Sequence, residues 1–329
     1  MTNDSVGVDI SKDKLDVHRL SDGAFVQFPN SKTGFQKLRC WIGSALPARV
    51  VYEPTGAYHG AFEAALADHL PLVKVNPKHA RRFAESKGQL AKTDRADARA
   101  LAQMGTAHEL EPDAPVAKDR PVLRELQAAR AALIKDKVRL QNQLDRQQQR
   151  LTQKLTRGRL QQVVADLLEL DHAIRAQLET CPNRKRALRL IQSIKGIGAV
   201  TATTILIEMP EIGHLRKKAV ASLAGVAPIT RQSGRWRGQS FIQGGRKPLR
   251  DALYLPAIVA TQYNPDLKAQ YKRMKAAGKP SKVAITAIMR KLLILANTLV
   301  KEDREWVLVK EDREWVEIRA VENILNCPV

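Results

Sequence analysis

Val6-Gly7-Val8-Asp9-Ile10-Ser11, followed closely by Leu15-Asp16-Val17-His18, reads as two β-strands. The first is apolar with one acid inside it, and the second alternates. The stretch 24–29 supplies a third strand, and the short turns between the three predict an antiparallel meander. Beyond it come a helix over 32–44 and a strand at Arg49-Val50-Val51-Tyr52-Glu53, which ends in Pro54-Thr55-Gly56. A helix over 58–69 and a fifth strand, Leu72-Val73-Lys74-Val75, complete the outline. Strands in a meander followed by alternating helix and strand predict an α/β domain.

That order of elements is the outline of a ribonuclease H-like domain, and two acids stand out in it. Aspartate is depleted in strands, and Asp9 sits in a run that otherwise reads as buried, where an unpaired carboxylate is costly. Its plain reading is an edge or turn residue. Glu53 ends an apolar strand, and ligands often sit outside the carboxyl ends of strands in open α/β sheets. A third stretch, Lys92-Thr93-Asp94-Arg95-Ala96-Asp97-Ala98-Arg99, reads as the first turn of a helix capped by Thr93. Asp94 and Asp97 share one face of that helix, about 5–6 Å apart. Acids are common in first turns, where the helix dipole favours them, so capping and solvation are the ordinary explanation. Four acids at one end of one sheet read differently. Hard oxygen ligands suit Mg²⁺, which makes Asp9, Glu53, Asp94 and Asp97 a candidate metal-ligand set. Two such ions about 3.5–4 Å apart stabilise both the attacking and the leaving oxygen of a phosphoryl displacement.

Composition points the same way. The 329 residues carry a formal charge of +21, and 44% are hydrophobic, so the chain is globular and its expected partner is a polyanion, nucleic acid first. No apolar run reads as a membrane span, and the N-terminus lacks a basic region followed by an apolar stretch, so no membrane partner or secretory leader is expected. Three widely spaced cysteines imply neither a disulfide framework nor a zinc site. A reducing, cytoplasmic setting follows.

From 119 to about 183 the composition changes. Leu126, Leu133, Leu140, Leu144 and Leu151 recur at heptad-like intervals, predicting a helical hairpin or coiled coil broken near Gly158, with Lys137 and Gln147 interrupting the seam. A spacer and a dimerisation arm are equally open readings. After a basic run, Arg184-Lys185-Arg186, the stretch Ser193-Ile194-Lys195-Gly196-Ile197-Gly198-Ala199 has the pattern of a helix-hairpin-helix. Its second helix would present backbone N–H groups to phosphates beside Lys195, Gly196 and Gly198; a simple helix–turn–helix corner is the alternative. Downstream, Arg235, Trp236, Arg237, Arg246 and Lys247 fall in or beside a glycine- and arginine-rich loop suited to surrounding phosphates, with Trp236 able to stack on a base or to pack on a helix. Ser233 and Ser240 are both candidate nucleophilic hydroxyls, and composition does not choose between them. A final amphipathic helix spans about 282–300. The nine residues 299–307 are then repeated without change at 308–316, predicting a solvated helical tail with Trp306 or Trp315 docking on a neighbour.

These residues carry a resemblance. The segments 6–12, 52–56 and 92–98 look like the Asp-Glu-Asp-Asp signature of the insertion-sequence transposases related to the pilin-gene invertases. Gly225-Val226-Ala227-Pro228 through Ser233-Gly234 and Gly244-Gly245-Arg246 resembles their C-terminal domain. The resemblance implies a RuvC-like domain holding Mg²⁺ at Asp9, Glu53, Asp94 and Asp97, and a nucleophilic serine carried over to Ser233. It also implies a structured bridge RNA that pairs with donor and target DNA, and a tetramer assembled from dimers. The expected organisation is a catalytic domain over 1–116, a helical segment over 117–185, a mainly α C-terminal domain over 186–300 and a tail over 301–329. A hydrolytic junction nuclease and a non-catalytic nucleic-acid-binding protein are the alternatives.

Overall fold

The computed structural model describes residues 2–54, 56, 58–88, 93–113, 119–234 and 236–307. Thr55, Lys92, Arg235, the side chain of Trp236, and the second repeat copy with Trp315 lie outside the described residues. The chain divides into two compact units, the first ending at Pro121 and the second starting at Val122.

In the first unit, β1 (Thr2–Ile10), β2 (Lys14–Arg19) and β3 (Phe25–Pro29) form the expected antiparallel meander. β4 (Pro47–Tyr52) pairs parallel with β1, and β5 (Leu72–Lys74) parallel with β4, giving one mixed sheet in the order β3-β2-β1-β4-β5. Side chains alternate across a strand, so the two faces have different chemistry. Val6, Val8, Ile10, Leu15, Val17, Val50 and Tyr52 form a buried core with Phe35 and Leu38 of α1 (Lys32–Ile42) and Phe62 and Leu66 of α2 (His59–Leu66). The other face presents Ser5, Gly7, Asp9, Asp16 and His18, and it is covered by α4 (Asp94–Ala107). A Cβ on Gly7 would stand 2.0 Å from the Ala98 carbonyl oxygen, and one on Gly105 would stand 2.5 Å from Ser5 Oγ. Backbone therefore rests on backbone where α4 crosses β1. One further helix, α3 (Pro77–Ser86), was not expected; Asn76 caps it by accepting from Lys78 N, and Pro77 opens it.

The second unit is helical with a small ribbon. α5 (Arg120–Arg146) and α6 (Arg150–Glu179) are antiparallel neighbours joined across by Arg130 and Asp171, at 2.5 Å and 3.3 Å. The hairpin is as expected, but its break is not at Gly158. The chain turns at 147–149, where Gln153 Nε2 donates to the Gln147 carbonyl at 2.7 Å. Gly158 lies inside α6; one interior glycine costs about 1 kcal/mol, which a 30-residue helix absorbs. Leu151, past that turn, is 69% exposed and outside the seam that buries Leu140 and Leu167.

α7 (Pro182–Gln192), α9 (Lys217–Ala224), α10 (Lys247–Tyr263) and α11 (Pro265–Ala276) pack against α12 (Ser281–Lys301), and α8 (Ala199–Glu208) joins the same core through α7 and α10. α12 is long and apolar enough to cross a membrane, contrary to the sequence expectation, yet it serves as the central core helix. Asn297 on α12 is buried and latches the 213–215 corner, accepting from Gly213 N at 2.9 Å and donating to the Leu215 carbonyl at 3.0 Å. Between α9 and α10 the chain forms two short ribbons, β6 (Pro228–Ile229) with β9 (Phe241–Ile242), and β7 (Gln232–Ser233) with β8 (Trp236–Arg237).

Candidate active site

The acids of the first unit meet at one end of the sheet, and the local sequence explains how each arrives. Asp9 is the next-to-last residue of β1, on the α4 face. Glu53 follows the last residue of β4, one position beyond the Val8–Tyr52 pair. The end of β4 is fixed by Tyr52, whose hydroxyl donates to Glu63 Oε1 on α2 at 2.6 Å, with Lys74 ion-paired to the same carboxylate. Burial and that hydrogen bond push the Tyr52 phenol far above its ordinary range, so it remains a donor. Asp94 and Asp97 occupy the first turn of α4. Thr93 caps that turn as expected, its Oγ1 accepting from Ala96 N at 3.2 Å. The contact of Ala98 with Gly7 then sets the height of the turn above β1.

The convergence shows in the electrostatics. The Asp9 carboxyl is pushed up to about 6, by burial first and then by the negative charges of Asp97, Asp94, Glu53 and Asp16. Like charges at this range disfavour ionisation, and a bound cation would reverse the effect. Among the described residues, however, no three acidic, imidazole or thiol side chains are gathered tightly enough to chelate one ion.

Two residues that the sequence reading passed over belong to this cluster. Asp16 lies directly across from Asp9 in the β1–β2 pairing, so both carboxylates share a face. It is 1% exposed, and its Oδ1 accepts from Gln27 Nε2 at 2.5 Å. Lys14, two residues earlier on the same face, places Nζ 3.2 Å from Asp16 Oδ2 and 2.7 Å from Asp94 Oδ2. The two carboxylates, Asp94 foremost, hold the lysine ammonium above its ordinary value. The signal was present in the sequence as period-two alternation, Lys14-x-Asp16-x-His18, on the strand beside Asp9.

In the second unit, Ser233 pairs with Trp236 across a turn whose Gly234 has φ +56°, so the hydroxyl stands exposed near the tip of the ribbon. Ser240 is also exposed, nearer the ribbon's base. The ribbon is braced by Arg231, whose guanidinium lies 4.7 Å from the Phe241 ring centroid. Its base is a glycine crossing: a Cβ on Gly225 would stand 2.1 Å from the Gly244 carbonyl oxygen, and one on Gly245 would stand 2.1 Å from Gly225 N. Arg237 is exposed. Arg246 turns inward instead, bidentate to Glu211 at 2.8 Å on each arm and donating to the Glu208 carbonyl at 2.5 Å. Lys247 is ion-paired with Asp251.

The stretch read as a helix-hairpin-helix or a helix–turn–helix corner does form two helices joined by a turn. α7 and α8 are joined through 193–198, with Gly198 as the N-cap of α8 and Lys195 exposed. Gly196 has φ +108°, and a Cβ there would stand 3.0 Å from Ala260 Cβ, so glycine is required both by conformation and by the close approach of α10. Trp306 contacts its own unit, and the residues around it are not helical: its backbone N–H donates to Ser193 Oγ at 2.8 Å and its ring lies 5.9 Å from Lys195 Nζ. Asp303 pairs with Arg186 at 2.9 Å. The helix ends at Lys301, and these contacts direct the following residues back onto the hairpin.

Comparison with known proteins agrees with the motifs. Residues 6–153 match the transposase model DEDD_Tnp_IS110, and residues 188–272 match the model described as transposase IS116/IS110/IS902 family. The pilin gene-inverting protein of Moraxella bovis is 29% identical over 326 residues, covering 92% of this chain and 98% of that protein. Its counterpart from Moraxella lacunata aligns over the same length at 29%. A mini-circle putative transposase for IS117 from Streptomyces coelicolor is 32% identical over 126 residues, 36% of this chain and 29% of that protein. Matched in both its acidic and its glycine-rich regions, the chain belongs to the IS110 family of transposases, which cut and rejoin DNA.

Proposed function

We propose that this chain recombines the DNA of an insertion sequence by transesterification, with Asp9, Glu53, Asp94 and Asp97 holding Mg²⁺ in a RuvC-like domain and Ser233 acting as nucleophile. The observation that carries the reading is the placement of Asp9 near the end of β1, Glu53 just past β4, and Asp94 and Asp97 in the first turn of the helix over them, where burial first and then the charges of the other acids and Asp16 raise the Asp9 carboxyl to about 6. An all-oxygen donor set short of positive charge fits a hard divalent cation. When bound, that ion supplies Lewis-acid stabilisation of the developing negative charge.

The chain's own groups do the rest. Ser233 Oγ attacks a backbone phosphorus, and the bond from phosphorus to the 3′ oxygen breaks. The serine proton passes to a base, and a proton ends on the departing 3′ oxygen. The phosphodiester becomes a phosphoserine ester plus a free 3′-hydroxyl, so the bond is conserved and rejoining needs no nucleotide cofactor. The exposed tip position of Ser233 supports this role, since a phosphodiester in duplex or single strand must reach the hydroxyl. Lys195, the start of α8 with Gly196 and Gly198, and the ribbon residues Arg235, Trp236 and Arg237 grip nucleic-acid backbone, while Arg246 holds the ribbon's base and Lys247 lies beside it at the start of α10. Sequence is read by a structured bridge RNA paired with donor and target DNA; a charge of +21 suits backbone contact with both nucleic acids. The protein works as dimers that form a tetramer in the bacterial cytoplasm at the nucleoid. The α5–α6 arm supports assembly, since Val138, Leu151, Leu155 and Leu168 are each at least half exposed on it.

The test is denaturing electrophoresis of end-labelled donor DNA with protein, cognate RNA and Mg²⁺. A protease-sensitive shifted band that disappears in Ser233→Ala and in Asp97→Asn is expected. Free nicked product persisting in Ser233→Ala would replace the recombinase with a hydrolytic nuclease.

A further inference from the structure

We propose that Lys14 is a built-in counter-ion of the acidic cluster, held by buried Asp16 and competing with the divalent ion for Asp94. The inference rests on the metal reading above and extends it to two residues outside the four acids.

The fold leaves Lys14 little freedom. The β1–β2 connection is closed by Ser11, whose Oγ donates to the Lys14 carbonyl at 2.9 Å and accepts from Lys14 N at 3.2 Å, while Ser11 N also donates to that carbonyl at 3.0 Å. Asn30 fastens the turn from the far side, donating through Nδ2 to the Ser11 carbonyl at 2.8 Å and through N to the Asp13 carbonyl at 3.0 Å. With its backbone pinned, Lys14 sends its side chain along the α4 face of the sheet. There Asp16 is a buried carboxylate whose Oδ2 makes no hydrogen bond, and the ammonium 3.2 Å away is its counter-charge. A buried carboxylate needs such a partner, so Asp16 anchors the lysine. The same Nζ reaches 2.7 Å to Asp94 Oδ2. Asp94 is half exposed, so its carboxylate is the member of the pair free to change partners.

The consequence is a competition. A divalent ion that takes Asp94 must displace Lys14 from it and accept a positive neighbour nearby. The apparent affinity for the ion is therefore lowered by the lysine, and the cluster keeps one positive charge among its acids when no ion is bound.

The experiment is calorimetric titration of the full chain with Mn²⁺, without nucleic acid, comparing wild type, Lys14→Gln, Lys12→Gln and Asp97→Asn. Lys12 is exposed in the same turn, and no ion pair involves it among the described residues, so its variant removes the same formal charge without the contact. Lys14→Gln is expected to bind Mn²⁺ about tenfold more tightly than wild type, as loss of an adjacent like charge allows. Lys12→Gln should stay within about twofold, and Asp97→Asn should bind much more weakly. Unchanged or weaker binding in Lys14→Gln overturns the inference, as does an equal gain in Lys12→Gln. If those results accompany a loss of binding in Asp97→Asn, the metal reading survives without the counter-ion. Wild-type binding that is absent, or indifferent to Asp97→Asn, removes both.

Discussion

Replacing Asp9 by asparagine removes one ionisable group from a site crowded with negative charge, and the structure sets both sign and size of the effect. The carboxyl, ordinarily near 3.8, sits at about 6 in the folded chain. The unfolded chain therefore loses this proton near pH 4, while the native state keeps it until about pH 6. Between those values the native state binds the extra proton, so stability falls as pH rises, and above pH 6 the full penalty is present. At about 1.4 kcal/mol per tenfold, the gap corresponds to an upper limit of about 3 kcal/mol. The asparagine amide cannot ionise and escapes the penalty. Asp9→Asn should thus stabilise the first unit by about 1–3 kcal/mol at pH 8 and change it little at pH 4, while abolishing DNA cleavage. Hydrogen exchange of the β1 and β2 peptides as a function of urea, in EDTA at both pH values, reads this unit separately from the second. Adding Mg²⁺ at pH 8 should shrink the difference by stabilising wild type alone. A variant no more stable than wild type at pH 8, or equally stabilised at pH 4, would refute the reasoning.

Gly7→Ala places a methyl 2.0 Å from the Ala98 carbonyl, so α4 must lift from β1; a loss of about 3 kcal/mol or more in urea unfolding is expected, with cleavage lost even if the variant folds. Thr93→Ala removes the cap of α4 and should cost about 1 kcal/mol, together with faster amide exchange at Ala96 and Asp97. Gly225→Ala meets both a φ of +68° and the Gly244 carbonyl, so the ribbon carrying Ser233 should be displaced; proteolysis within 228–242 should accelerate while α12 remains protected. Deleting one nine-residue copy gives the same product whichever copy is removed, and that product retains Asp303 and Trp306 in their contacts, so its melting temperature should match wild type within about 2 °C.

Much of this protein follows from local chemistry. Alternation fixes β1 and β2, Thr93 starts α4, and helical periodicity marks α12 as a helix, because each depends on neighbours within a few residues. Gly196 and Gly198 likewise mark their turn. The four acids were legible by type, each anomalous in its own element. Their convergence could be expected from the strand order, but the contact that produces it, α4 resting on Gly7 between residues 91 positions apart, is set only by packing. The same limit hid the second partner of Lys14, since alternation places Asp16 beside it but says nothing of Asp94. It also hid the inward turn of Arg246, whose partner Glu211 lies beyond α9. Gly158 is the converse case: a local breaker overruled by the length of the helix around it. Sequence determined which groups are candidates for the chemistry; tertiary structure decided which of them share charge, because electrostatic coupling depends on distance through the fold and not along the chain.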